Sequence, residues 1–124
     1  RTLYEPATSP ALPALTLLHP HLPWRPYIRP SNPSSCVYVT IRDVLGALHA
    51  FLQVPVTMAE YKMLPSQADR DEVAIAFHAR CDRTQNPEWM KSRGVIRLDF
   101  LRGRNVFMGL SCTKYGPDMW MLNV

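Results

Sequence analysis

Eight of the chain's 12 prolines fall within its first 35 residues: Pro6, Pro10, Pro13, Pro20, Pro23, Pro26, Pro30 and Pro33. Proline fixes φ and has no N–H to donate, so neither a long helix nor a central strand is expected there. The segment is not a polar linker, because it carries Leu12, Leu15, Leu17, Leu18, Leu22, Trp24, Tyr27 and Ile28. A disordered tail would not hold so many apolar groups in water. Residues 1–35 therefore read as an extended arm packed on the domain, with short edge strands near 14–18 and 24–28. Residues 36–124 read as a single α+β domain. At 124 residues the chain suits one compact domain rather than two.

Beyond the arm the punctuation is regular. Cys36–Val39 reads as a short strand. Thr40 with Asp43 has the spacing of a helix-capping box, and Ile41, Val44, Leu45, Leu48, Phe51 and Leu52 follow at helical spacing until Pro55. Thr57 with Glu60 and Ser66 with Asp69 repeat the signature, which predicts helices over 40–53, 57–64 and 67–83. Residues 84–93 read as a loop or a single helical turn around Trp89. From Gly94 the period changes to two. Val95–Leu101, Val106–Cys112 and Met119–Val124 alternate as three strands of an antiparallel meander. The fold class is α+β: an antiparallel sheet of four to six strands with two or three helices on one face.

The expected register pairs Leu101 with Val106 and Cys112 with Met119. One sheet face then carries Ile96, Leu98, Phe100, Phe107, Gly109, Ser111, Trp120, Leu122 and Val124, with Trp120 buried near Gly109 and Ser111. The other carries Met108, Leu110, Cys112, Met119 and Met121, too apolar for a solvated face. Trp24 and Tyr27 of the arm are expected to join it as a candidate interaction surface.

The order of short motifs resembles a known family. Pro23-Trp24 follows the proline-rich start, Val39-Thr40-Ile41-Arg42-Asp43-Val44-Leu45 opens a helix, and Gly94-Val95-Ile96-Arg97-Leu98-Asp99-Phe100-Leu101 comes next. Phe107-Met108-Gly109-Leu110 and Trp120 complete the series. The chain is similar to an uncharacterised domain of unknown function widespread in mushroom-forming, basidiomycete fungi. The resemblance implies a single fungal domain inside the cell and brings no activity or catalytic residue.

Chemistry is sparse. His78 and Cys81 have the spacing of two metal ligands on a helix, but no second pair completes a set, and His19 and His21 sit apart in the arm. No metal, cofactor or catalytic residue is predicted. No Gly-x-Ser-x-Gly elbow or phosphate-cradling glycine loop is present, and the reading leans against an enzyme. The charge is mildly basic, 14 Lys and Arg against 10 Asp and Glu. A local excess, Lys91, Arg93, Arg97, Arg102 and Arg104, is a candidate nucleic-acid patch, with Arg102 and Arg104 expected on a solvated hairpin turn. Three widely spaced cysteines make a poor disulfide framework, so Cys81 and Cys112 read as core residues in a reducing, cytoplasmic or nuclear compartment. No signal peptide or membrane span is expected, and the start at Arg1 leaves open a segment removed before it.

The leading function is a non-catalytic protein-interaction or scaffold domain able to self-associate, with a protein partner or a second copy on the methionine-rich face. The first alternative is a small-ligand or enzymatic pocket between the arm and the sheet. The second is weak nucleic-acid binding through residues 91–104.

Overall fold

The computed structural model describes residues 3–124. The chain forms two compact units, one of Arg1–Phe51 with Val106–Val124 and one of Leu52–Asn105. The first contains strands β1 (Leu15–Leu18), β2 (Tyr27–Ile28), β3 (Gly109–Thr113) and β4 (Gly116–Asn123), with helix α1 (Ile41–Leu52). The second contains helices α2 (Met58–Lys62), α3 (Gln67–Asp82) and α4 (Pro87–Ser92) and a 3₁₀ helix, Arg97–Leu101.

The sheet has the order β2-β1-β4-β3. It is open and mixed rather than antiparallel: β1 runs parallel to β4, while β1–β2 and β3–β4 are antiparallel. A central strand does form in the proline-rich segment. It fits because residues 14–19, between Pro13 and Pro20, contain no proline, so every N–H there can enter a ladder. The short β2 follows Pro26 at the sheet edge.

The β3–β4 register differs from the expected one by a single residue. Leu110 pairs with Leu122, Ser111 with Met121 and Cys112 with Trp120. With a side-chain period of two, one step exchanges partners across the faces. Leu15, Leu17, Ile28 and Leu122 share the inner face and are buried. Thr16, Tyr27, Ser111, Met119 and Met121 lie on the outer face. Met108 and Leu110 therefore face away from Met119 and Met121. Trp120 is half-buried opposite Cys112, and its Nε1–H donates to the Pro117 carbonyl at 3.0 Å. Cys112 is exposed rather than in the core. Gly109 has φ +107°, and a Cβ there would meet nothing within 4 Å. A larger residue at 109 would be strained by its backbone rather than crowded by neighbours.

The three predicted caps form. Thr40 Oγ1 accepts the Asp43 N–H at 3.2 Å and Asp43 Oδ2 accepts the Thr40 N–H at 2.9 Å. Asp43 Oδ1 also accepts the Ser31 hydroxyl and N–H, at 2.6 and 3.1 Å. The carbonyls of Glu5 and Leu3 accept the N–H groups of Ile41 and Arg42, donors that a helix start leaves without internal partners. Thr57 with Glu60, and Ser66 with Asp69, cap α2 and α3. Residues 84–93 close into α4, capped by Asn86 with Pro87 in its first turn.

The first strand of the expected meander, Val95–Leu101, is not a strand. Ile96 makes one bridge, to Pro55, and the chain then turns into the 3₁₀ helix. Asp99 is the cause. It is 2 % exposed, and it accepts Arg80 Nε–H and Nη2–H at 2.8 and 3.0 Å and the Ile96 N–H at 2.9 Å. An alternating strand would have placed this carboxylate on a sheet face without those donors. Arg102, at φ 59°, and Gly103, at φ 86°, then end the 3₁₀ helix in left-handed geometry, so no 101–106 hairpin exists.

The two buried carboxylates can be tested separately. Arg80→Ala leaves Asp99 buried without its cation and is expected to cost about 3 kcal/mol in urea unfolding. An Arg80→Ala midpoint equal to the wild type would show that the Arg80–Asp99 pair does not hold the 3₁₀ helix. For Asp43, burial raises the pKa and is the largest single influence, but the hydrogen bonds from Ser31 and Thr40 together outweigh it and hold the group below its ordinary value. A depressed folded pKa gives stability that is complete above the unfolded value, about 3.9, and lost as pH falls through the folded one. Asp43→Asn should therefore be less stable at neutral pH and show a flatter loss of stability on acidification below about pH 4. Parallel acid limbs for the two proteins would contradict this.

Candidate functional site

Among the described residues several hollows open, and three of them, each within one unit, hold about 460–600 Å³. The first lies on the outer side of the sheet. The chain leaves β1 at Leu18 and reverses in a tight turn, with the Leu22 N–H donating to the His19 carbonyl at 3.1 Å. His19 Nδ1 accepts the His21 N–H at 3.0 Å. This turn and β4 enclose about 600 Å³ lined by Leu18, His19, Pro20, Leu22, Arg25, Tyr115, Met119 and Met121. Its lining mixes apolar side chains with one guanidinium and one imidazole.

The second, of about 460 Å³, lies between the start of α1 and the approach to β3, lined by Ala7, Ile41, Val44, Phe107, Met108, Gly109 and Leu110. The third belongs to the Leu52–Asn105 unit and holds about 580 Å³ among Gln53, Pro55, Arg80, Trp89, Ser92, Arg93 and Ile96. Trp89 is 54 % exposed, and the Arg93 guanidinium lies 5.0 Å from its ring centroid.

The six residues expected to share one surface divide between places. Met119 and Met121 line the first hollow, and Met108, 70 % exposed, and Leu110 line the second. Tyr27 is on the outer face and exposed, under the Arg29 guanidinium at 5.2 Å, and Trp24 is half-buried in the β1–β2 connection. The one-residue register step separates the methionine pairs.

The basic series is largely engaged. Arg102 Nη1 donates to Asp69 Oδ1 at 2.9 Å and Glu72 Oε2 at 2.8 Å. Lys91 pairs with Asp82 at 3.1 Å, and that hydrogen bond raises its pKa above the ordinary lysine value. Arg97 begins the 3₁₀ helix, Arg93 stacks on Trp89, and Arg104 is exposed. Asp69, the partner in the Ser66 cap, and Glu72, in the first turns of α3, are the anions that hold Arg102. That Arg25 and His19 line one hollow escaped the sequence because a turn brings them there, and the contact of Arg93 with Trp89, four residues apart across the end of α4, escaped it because residues 84–93 carry no helical pattern long enough to predict one. His78 is exposed while Cys81, one turn along α3, is buried.

Arg102 is thus not a solvated turn residue. Arg102→Ala is expected to lower stability by about 1 kcal/mol and Arg104→Ala to be neutral, measured by urea midpoints. Equal midpoints for the two variants would show that the Asp69–Arg102–Glu72 bridge contributes nothing.

Among the described residues no helix is long and apolar enough to cross a membrane. No curated protein and no solved structure matches the chain. A family model matches residues 1–118, nearly the whole sequence, and the chain therefore belongs to the family of unknown function DUF6699.

Proposed function

We propose that the chain is a non-catalytic protein-interaction module whose recognition surface is the outer side of its sheet. One observation supports this above others: Met119 and Met121 line an open hollow of about 600 Å³ together with the exposed Tyr115. Methionine is unbranched and polarizable, so it moulds to apolar side chains of different shapes. Tyr27, 57 % exposed on the same face, extends the surface. In this reading the proline-rich residues 1–35 act as an arm on the domain, and Leu18–Arg25 form one wall of the site. The free cysteines, one of them exposed, suit the reducing interior of a cell, and the fungal setting follows the resemblance carried by the motif series from Pro23-Trp24 to Trp120.

A second reading rests on Arg25 and His19. A cation and an imidazole among the apolar side chains lining one hollow suit a small amphipathic carboxylate, its chain on Leu22 and Met121 and its head group at Arg25.

Peptide display separates the two. Selection against the wild-type chain should enrich apolar sequences whose binding falls about tenfold on Met121→Asp, with circular dichroism confirming the fold. Enriched peptides indifferent to Met121→Asp would move the site elsewhere. Decanoate binding that disappears on Arg25→Ala, with no peptide enriched, would favour the ligand reading.

A further inference from the structure

We propose that β3 is the edge through which two copies of this chain pair, antiparallel and about a two-fold axis at Ser111, into one continuous sheet. This surface is separate from the outer-face hollow. Among the described residues β3 has a hydrogen-bonded neighbour, β4, on one side only, so alternate N–H and C=O groups along its other side have no strand partner there.

The two edges of the sheet are treated differently. β2 is two residues long, preceded by Pro26 and followed by Arg29 and Pro30, features that stop another strand from adding. The stretch Val106–Thr113 has no proline and no charge over eight residues. Ser111 and Cys112 are exposed, and so are Val106 and Met108 just ahead of the strand. An edge of this kind normally carries a lysine, an inward charge or a proline to prevent pairing. None of these is present from Val106 to Thr113, and the one irregularity within the ladder, between Cys112 and Thr113, lies at the strand's end, so the middle of the edge is open to pairing.

The sequence of β3 also selects the occupant. With the axis at Ser111, Ser111 meets its own copy, Leu110 meets Cys112 and Gly109 meets Thr113. No like charges face one another, and each pair combines small or apolar side chains. A strongly acidic or basic strand would find no counter-charge along this edge. A two-fold contact uses the same patch on both copies and closes on itself. Both outer edges of the joined sheet are then the blunted β2, so growth stops at two. The irregular ends of β3, positive φ at Gly109 and the register shift between Cys112 and Thr113, confine pairing to the strand's middle.

Sedimentation of the wild-type chain up to about 100 µM should show a monomer–dimer equilibrium. Ser111→Lys, which sets two ammonium groups face to face at an exposed position, should weaken the dimer by at least about tenfold while preserving the circular dichroism spectrum. Ser111→Cys combined with Cys112→Ser should form an intermolecular disulfide under mild oxidation, because only position 111 meets itself. Arg25→Ala, in the β1–β2 connection and two strands away from β3, should leave the dimer intact, which keeps this test apart from the outer-face hollow. A wild type that stays monomeric, or a dimer that survives Ser111→Lys and gives no cross-link at position 111, would overturn the proposal; enriched peptides that compete with a β3 cross-link would assign the edge to a foreign strand instead.

Discussion

A carboxylate leaves water only where its oxygens find donors, and two of the chain's carboxylates meet that condition by fixing where helices begin. Asp43 binds the Thr40 N–H and both donors of Ser31, and so joins the start of α1 to the end of the proline-rich segment. Asp99 binds the Ile96 N–H and the Arg80 guanidinium, and so joins the start of the 3₁₀ helix to α3. Each acts as a cap and as a long-range tie at once. Capping alone is worth about 1 kcal/mol, and the burial of a charge makes the tie the larger of the two effects.

Local signals were legible wherever one short segment contained the whole reason for a structure. Thr40, Thr57 and Ser66 each announce a helix because the acidic partner three residues on is present in the sequence. Val95–Leu101 misled because its alternation is real, while the group that decides its conformation, Arg80, lies on another helix. The mixed sheet was hidden for a similar reason: proline density argued against a central strand, and nothing local shows that a six-residue gap will find β4. The β3–β4 register failed by one residue because the turn between the strands holds a register shift at Cys112 and Thr113, a detail that pairing by hydrophobic pattern cannot contain.

The candidate site followed from that register. A single step places Met108 and Leu110 on one side of the sheet and Met119 and Met121 on the other, so one broad apolar surface becomes two smaller hollows. The basic series contracts in a comparable way. Arg102 is neutralised by Asp69 and Glu72 and Lys91 by Asp82, which leaves a weaker outward field than counting residues suggests. Family membership fits this picture without adding chemistry to it, since the matched model describes a family of unknown function.

The parallel pairing of β1 with β4 also constrains how the protein is made. Thr16 and Met119 become neighbours although about a hundred residues separate them. A ribosome therefore releases Leu15 and Leu17, both destined for complete burial, long before their partner strand exists. Closing so long a loop is slow compared with forming α3 or its caps. During that interval a short apolar strand waits between prolines. Those prolines, which made a strand there look improbable, flank the waiting segment, and because neither Pro13 nor Pro20 has an N–H to give, an intermolecular ladder started on it would lack a donor at either end.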